Sequence, residues 1–279
     1  MTLKQLNIYP LLKKHGIKPK KSLGQNFLVE PAGLNKVIEA ADLTSDDEVL
    51  EIGAGLGSLT FLLAQCARQV TAVEIDRAMF APLREALTEF NNVRIVEGDI
   101  LDLKPDELMQ NQDYIVVANI PYYISSAIIR HLMEAELRPK RVVLTVQKEV
   151  AERVQAKDGK MSLLSLSVQV FGQVSMAGTI PAGSFVPVPE VDSAVLKIQL
   201  FPEPLIPFDQ QDAFFKLAHA GFGQKRKTLR NSLSTGLGIS SSDIEGLLLD
   251  SSINPQRRAE TLTINEWKLL TEAWLARSS

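Results

Sequence analysis

The sequence predicts an α/β protein, a mostly parallel sheet with helices on either side, followed by a small all-helical domain. Three observations carry that expectation. Five short runs rich in β-branched residues alternate with helical patterns, and each is almost continuously apolar, as strands buried on both faces require. The stretch Phe201–Phe208 (FPEPLIPF) has three prolines in eight residues and disfavours both helix and regular strand. Beyond it only helical spacing remains. With 279 residues, 45% of them hydrophobic and 23% charged, the chain suits one large domain plus a small one, and disordered or fibrous classes fall away.

The elements follow in order. After a basic leader punctuated by Pro and Gly, helical spacing runs over Pro31–Ala41, with Pro31 suited to a first turn. The five apolar runs are Glu48–Ile52, Val70–Ile75, Val93–Val96, Tyr114–Ala118 and Arg141–Val146. Two further strands are expected at Leu163–Phe171, where Leu166, Val168 and Val170 alternate, and at Ser193–Leu200. A Pro-rich loop joins them, which suggests an antiparallel edge. Helices are expected at Asp209–Gly221, Lys225–Thr235, Ser240–Leu249 and Ile264–Ala276. The domains read as a leader over 1–30, a sheet domain over 31–203 and a helical domain over 204–279.

Cys66 is the only cysteine, which excludes an internal disulfide and suits a reducing compartment. His15, His131 and His219 lie far apart without a metal-ligand spacing, so no metal is expected. The start of the chain lacks the apolar core of a signal peptide, and a cytoplasmic protein is expected. The uncharged stretch Met161–Pro189 is broken by Ser, Gln, Gly and Pro, which argues against a membrane span.

The first strand runs directly into Glu51-Ile52-Gly53-Ala54-Gly55-Leu56-Gly57. Glycines at alternate positions permit a tight turn and leave no side chains between the loop and a nucleoside, although such glycines also serve purely structural turns. The spacing is neither that of a dinucleotide fingerprint nor that of a phosphate-binding P-loop. Glu74 ends the second strand 21 residues after Gly53, where an acidic side chain can accept both hydroxyls of a ribose. Asp99 follows Gly98 at the end of the third strand, placed to accept from an adenine amine. Strand-end carboxylates also cap helices, as expected of Asp76. The fourth strand ends in Asn119-Ile120-Pro121-Tyr122. There an Asn side-chain carbonyl and a backbone carbonyl before a Pro-rigidified turn can accept both hydrogens of an exocyclic amine, with Tyr122 stacking on the base.

These motifs, with Lys21-Ser22-Leu23-Gly24-Gln25-Asn26-Phe27-Leu28, Phe185-Val186-Pro187-Val188-Pro189 and the stretch from Gly221 to Asn231 (GFGQKRKTLRN), resemble in order the signatures of the S-adenosylmethionine-dependent rRNA adenine dimethyltransferases. This is the kasugamycin-sensitivity family, whose relatives include the macrolide-resistance methyltransferases. The resemblance implies a Rossmann-like, seven-stranded methyltransferase sheet, a cofactor-capping motif within 1–30 and an RNA-binding helical domain. It implies S-adenosylmethionine contacts at Asn26, Leu28, Gly53, Glu74, Asp99 and Asn119, to which the loop reading adds Gly55. Target-base contacts are implied at Asn119, Tyr122 and Phe185, with Pro121 rigidifying the turn. Phe185 also reads as a hydrophobic plug between prolines, and unaided the QNFL segment reads only as a helix lead-in. Tyr123 stands where many bacterial members carry Asn, and Ala156–Lys160 lacks an expected Pro-Gly.

The implied activity is dimethylation of the N6 amine of two adjacent adenines in small-subunit (16S) rRNA, linked to ribosome biogenesis, by a monomer that acts on the immature small subunit. Alternatives are a macrolide-resistance type enzyme acting on large-subunit rRNA, a DNA adenine methyltransferase, and an RNA-binding assembly factor. A net charge of −3 argues superficially against a nucleic-acid partner. Yet Lys4, Lys13, Lys14, Lys18, Lys20 and Lys21 precede the first acidic residue, and Lys216, Lys225, Arg226, Lys227 and Arg230 lie where no acid interrupts from Asp212 to Asp243. Without these 11 residues, the remaining 19 basic and 33 acidic residues give −14. Such runs are usually solvated faces. Beside an adenine-modifying site, Lys20, Lys21, Lys225, Arg226, Lys227 and Arg230 are expected to contact RNA phosphates.

Overall fold

The structure is a computed structural model that describes residues 3–120, 125–157 and 159–278. The chain divides into two compact units, Met1–Ala151 with Gln173–Leu200, and Glu152–Gly172 with Phe201–Ser279.

The first unit contains helix α1 (Tyr9–Lys14), strand β1 (Phe27–Leu28), α2 (Pro31–Ala41), β2 (Glu48–Ile52), α3 (Ser58–Cys66), β3 (Gln69–Glu74), α4 (Phe80–Ala86), β4 (Val93–Glu97), α5 (Pro105–Leu108), β5 (Ile115–Asn119), α6 (Ser125–Glu134) and β6 (Arg141–Gln147). Helix α7 (Lys148–Val154) follows, β7 (Gly172–Ile180) and β9 (Ser193–Leu200) complete the main sheet, and β8 (Phe185–Val186) pairs separately with β1. Helix α2 forms where its sequence directs. The Glu30 carboxylate caps the Gly33 N–H at 2.9 Å, Pro31 starts the first turn, and Asp42 stops the helix in the left-handed region at φ 49°.

The seven main strands lie in the order β4-β3-β2-β5-β6-β9-β7. Strands β2 to β6 pair in parallel, and β9 pairs antiparallel with β6. From β2 the chain builds outward through β3 and β4, then returns to place β5 on the other side of β2. That reversal opens a crevice at the carboxyl ends of β2 and β5, where open α/β sheets bind ligands. Val49, Leu50, Val70, Ala72, Ile115, Val116, Val117 and Val142 to Leu144 are wholly buried, which explains the unbroken apolar runs. Each large aliphatic side chain buried in this layer contributes roughly 1.5–3 kcal/mol of favourable transfer free energy.

The second unit contains α8 (Leu163–Gln169), α9 (Phe208–Phe222), α10 (Leu229–Leu237), α11 (Ser241–Asp250) and α12 (Ile264–Ser278). Its centre is Trp267, fully buried and stacked on Phe222 with ring centroids 5.7 Å apart. Gly221 makes room for it, since a Cβ there would lie 2.6 Å from the indole.

One expectation is corrected. Leu163–Phe171 is not a strand: it holds α8, and the edge strand is β7, which begins directly after it at Gly172. Ser162 and Ser165 form a reciprocal capping box that starts the helix. Leu166, Val168 and Val170 are buried while Ser167 and Gln169 are only part-buried, so over this short helix the burial alternates as it would in a strand. Residues 152–172 accordingly fold with the helical unit. Phe171 accepts the Phe201 N–H at 2.9 Å, Val170 accepts that of Leu205 at 2.9 Å, and Glu260 accepts that of Met161 at 3.1 Å. In the same unit the helix expected from Lys225 starts at Leu229, so Lys225 to Lys227 precede it.

Candidate active site

A cavity of about 240 Å³ occupies the crevice beyond β2 and β5. Its walls come from the leader at Leu23 to Leu28, the loop and helix start from Gly53 to Leu59, Glu74, the stretch Gly98 to Leu101, and Asn119. The glycine loop fits its role by geometry. Gly53, Gly55 and Gly57 have φ of 80°, 56° and 87°, which L side chains rarely adopt. A Cβ on Gly55 would lie 3.1 Å from the Phe27 ring, and one on Gly53 would lie 3.4 Å from the Asn119 backbone oxygen.

Carboxylates line this cavity. Glu74 is buried, with Oε2 accepting the Gly55 N–H at 2.7 Å and Oε1 accepting the Asp76 N–H at 2.8 Å. Burial raises its pKa, against the amide donors that favour the charged form. Each oxygen keeps a lone pair for a further donor. Asp99 is half-buried, faces the cavity and accepts the Leu101 N–H at 3.0 Å. Asp76 caps the turn that follows β3, as expected, by accepting the Ala78 N–H.

Sequence reasoning gave Glu51 no role. It is 1% exposed, it lines the cavity, and its Oε2 has no hydrogen-bond partner among the described residues. Burial pushes its carboxyl up to about 8, opposed by the neighbouring Thr60 and reinforced by the Glu74 charge. The legible signal was an acidic residue inside an otherwise apolar strand.

The leader and the fourth strand end meet at this cavity. Asn119 Nδ2 donates to the Asn26 carbonyl at 3.0 Å. A carbonyl only accepts, so this bond fixes which end of the Asn119 amide faces away from the leader: the acceptor Oδ1. Asn26 in turn donates to the Gly24 carbonyl at 3.2 Å. Strand β1 pairs antiparallel with β8, placing Phe27 opposite Val186 and Leu28 opposite Phe185, so the QNFL and FVPVP segments are neighbours. Asn26, Leu28, Gly53, Gly55, Glu74, Asp99 and Asn119 all line the cavity. Phe185 does not. It is 1% exposed within the main hydrophobic cluster that also holds Leu28 and Ile180, as a hydrophobic plug would be. Pro121, Tyr122 and Tyr123 and the Lys21 side chain lie outside what the structure describes.

The basic residues separate into two kinds. Lys20 Nζ sits 2.7 Å from Asp76 Oδ1, Lys14 pairs with Glu85 at 2.7 Å and Lys4 with Glu89 at 3.3 Å. Arg230 pairs with Glu245 at 2.8 Å. Lys225, Arg226 and Lys227 are exposed and form no ion pair among the described residues. Lys20 and Arg230 therefore have structural partners that the linear charge pattern does not reveal. No group of His, Cys, Asp and Glu suited to a metal occurs among the described residues, and no described helix is long and apolar enough to cross a membrane.

The sequence family described as ribosomal RNA adenine dimethylase matches residues 16–272. The chain belongs to that family. This rRNA adenine dimethylase is 46% identical over 261 residues to the ribosomal RNA small subunit methyltransferase A of Dehalococcoides mccartyi, covering 93% of this chain and 90% of the relative. It is 37% identical over 273 residues to that of Bacillus mycoides, covering 94% of each. Among solved structures, the dimethylase resembles a dimethyladenosine transferase from Plasmodium falciparum, with TM-score 0.78, 28% identity and coverage of 89% of this chain and 97% of that one. It also resembles the 23S rRNA methyltransferase ErmE, with TM-score 0.72, 28% identity and coverage of 89% and 99%. The expected fold and enzyme class agree with these relationships, and a methyl donor of the S-adenosylmethionine type follows from the family.

Proposed function

We propose that this dimethylase uses S-adenosylmethionine to dimethylate the N6 amines of two adjacent adenines in small-subunit rRNA of the immature small ribosomal subunit. The observation that carries the chemistry is the Asn26–Asn119 hydrogen bond, which leaves Oδ1 of Asn119 as an oriented acceptor at the rim of the cavity. The cavity fits the cofactor. A Cβ at Gly55 would crowd the Phe27 ring on the cavity wall, and Glu74 offers lone pairs suited to ribose hydroxyls. Asp99 is placed for the adenine amine, and Asn26 and Leu28 form the opposite wall. S-adenosylmethionine supplies an electrophilic methyl group when bound.

The chain's own contribution is positioning. Asn119 Oδ1 and the Ile120 carbonyl accept the two hydrogens of the exocyclic amine, which turns its lone pair out of conjugation with the ring. A strong base is unnecessary, because the amine becomes acidic only once it carries the new group and can then release its proton to water. The exposed cations Lys225, Arg226 and Lys227 supply phosphate contacts on the helical unit.

Incubating the protein with unmethylated small subunits or with protein-free large-subunit rRNA, followed by mass-spectrometric mapping, tests the reading. Dimethyladenosine at two adjacent small-subunit positions is expected, and modification confined to the large-subunit rRNA would overturn it. Asn119→Ala is expected to lower turnover by a factor on the order of 100 or more, the scale of losing one preorganised hydrogen-bonding group that acts on the reacting centre.

A further inference from the structure

Asp76 is a buried charge with more partners than a helix cap needs. It is 4% exposed, and its two oxygens accept from Lys20 Nζ at 2.7 Å, Gln25 Nε2 at 2.9 Å and the Ala78 N–H at 3.1 Å. Two of those donors lie in the leader, more than 50 residues away in sequence. Gln25 is held at its other end as well, since its Oε1 accepts the Lys20 N–H at 2.8 Å. Backbone bonds from Leu23 and Gln25 to the Lys20 carbonyl close the turn on itself. Although burial disfavours the charge, the bonds from Lys20, Gln25 and Ala78 hold the Asp76 carboxyl below the usual carboxylate range.

The closed turn delivers its next residues to the cavity. Asn26 follows Gln25 directly, and its carbonyl receives Asn119 Nδ2. The backbone N–H of Asp76 also donates to Glu74 Oε1. One residue thus touches both the leader wall and the carboxylate placed for the ribose. We propose that Asp76, Lys20 and Gln25 form a strap of positioning residues that fastens the leader over the cofactor cavity and, through the Asn26 carbonyl, sets the orientation of the Asn119 amide. Lys20 then serves the cofactor site rather than rRNA. The inference rests on the cavity being the methyl-donor site.

The measurement is equilibrium binding of S-adenosylhomocysteine to the full chain without RNA, alongside kcat and separate KM values for cofactor and rRNA. If breaking the strap leaves the leader closed in only a tenth of the molecules, affinity falls about tenfold. Lys20→Met, Gln25→Leu and Asp76→Asn, the last keeping a competent cap, are each expected to weaken S-adenosylhomocysteine binding by about that factor and to lower kcat, with KM for rRNA unchanged. The double variant Lys20→Met/Asp76→Asn should bind no more weakly than the worse single variant, and Lys20→Arg should restore most of the affinity. A Lys20→Met protein with normal S-adenosylhomocysteine affinity and a raised KM for rRNA would overturn the strap, as would purely additive losses in the double variant. If the unaltered protein binds no S-adenosylhomocysteine at all, the reading of the cavity itself fails, which is a separate result.

Discussion

The charges of the sheet unit and those of the 225–227 turn in the helical unit look alike in the sequence and act differently in the fold. In the sheet unit several turn inward or onto each other, although Lys13 and Lys18 of the leader stay exposed. Glu51 and Glu74 are buried at the cavity, Asp76 is fastened by Lys20 and Gln25, and Lys4 and Lys14 lie on Glu89 and Glu85. In the helical unit, Lys225, Arg226 and Lys227 stand exposed without an acid, while Arg230, three residues on, is neutralised by Glu245. A run of like charge along the chain therefore does not define a charged surface. The buried set is expected to govern pH dependence and cofactor binding, and the exposed set salt dependence and RNA affinity.

The largest effect expected from this contrast is on the pH dependence of stability. The Glu51 carboxyl titrates at about 8 in the fold, above its ordinary value of 4.5, so the native state binds the proton more tightly than the unfolded chain. Its contribution is fully present below the unfolded value and is lost as pH rises toward and through about 8. Glu51→Gln, which is neutral throughout, should match the natural protein in denaturant unfolding near pH 5 and exceed it by on the order of a few kcal/mol near pH 9. Equal stabilities at both pH values would mean that Glu51 is not held protonated.

Next in size is the exposed set. Replacing Lys225, Arg226 and Lys227 together with Ala should weaken rRNA binding by roughly 100-fold at physiological salt and flatten the slope of log affinity against log salt by about 2 to 3. S-adenosylhomocysteine affinity should not change. Arg230→Ala separates the two kinds of cation within one unit: a loss of about 0.2–1 kcal/mol in stability, with the salt slope nearly unaltered, is expected of a part-exposed ion pair. The smallest effect belongs to Lys4→Ala and Lys14→Ala, whose paired, exposed side chains should alter rRNA affinity by less than about twofold in a binding titration. A large loss there would show that the leader also contacts RNA.

Much of the site was legible before the fold. The glycines of the first turn and Asn119 follow buried apolar strands, Glu74 ends one, and Asp99 follows the half-buried edge strand β4; the α/β rule places these strand ends together. Asn26 and Leu28 were legible only through family resemblance, because their place depends on the short pairing of β1 with β8 across more than 150 residues. Phe185 stays open to both readings in the sequence, because an aromatic ring between prolines serves equally as a platform or a plug, and its burial in the cluster that holds Leu28 and Ile180 is what a plug requires. Helix α8 carries a strand-like signal because Leu166, Val168 and Val170 are buried while Ser167 and Gln169 between them are only part-buried, and the Ser162–Ser165 box is a weaker signal than one ending in Glu.

What the sequence by itself determined is the set of local commitments. Apolar runs choose strands, alternating glycines choose a turn with positive φ, prolines break the chain before the helices, and the order of motifs names the family. The tertiary structure alone decided which distant polar groups meet: Lys20 and Gln25 with Asp76, Asn26 with Asn119, Arg230 with Glu245, while Glu51 is left with an Oε2 that has no hydrogen-bond partner among the described residues. Backbone propensity acts over a few residues, whereas the state of a charge depends on burial and on neighbours within hydrogen-bond reach, and only the folded chain supplies both.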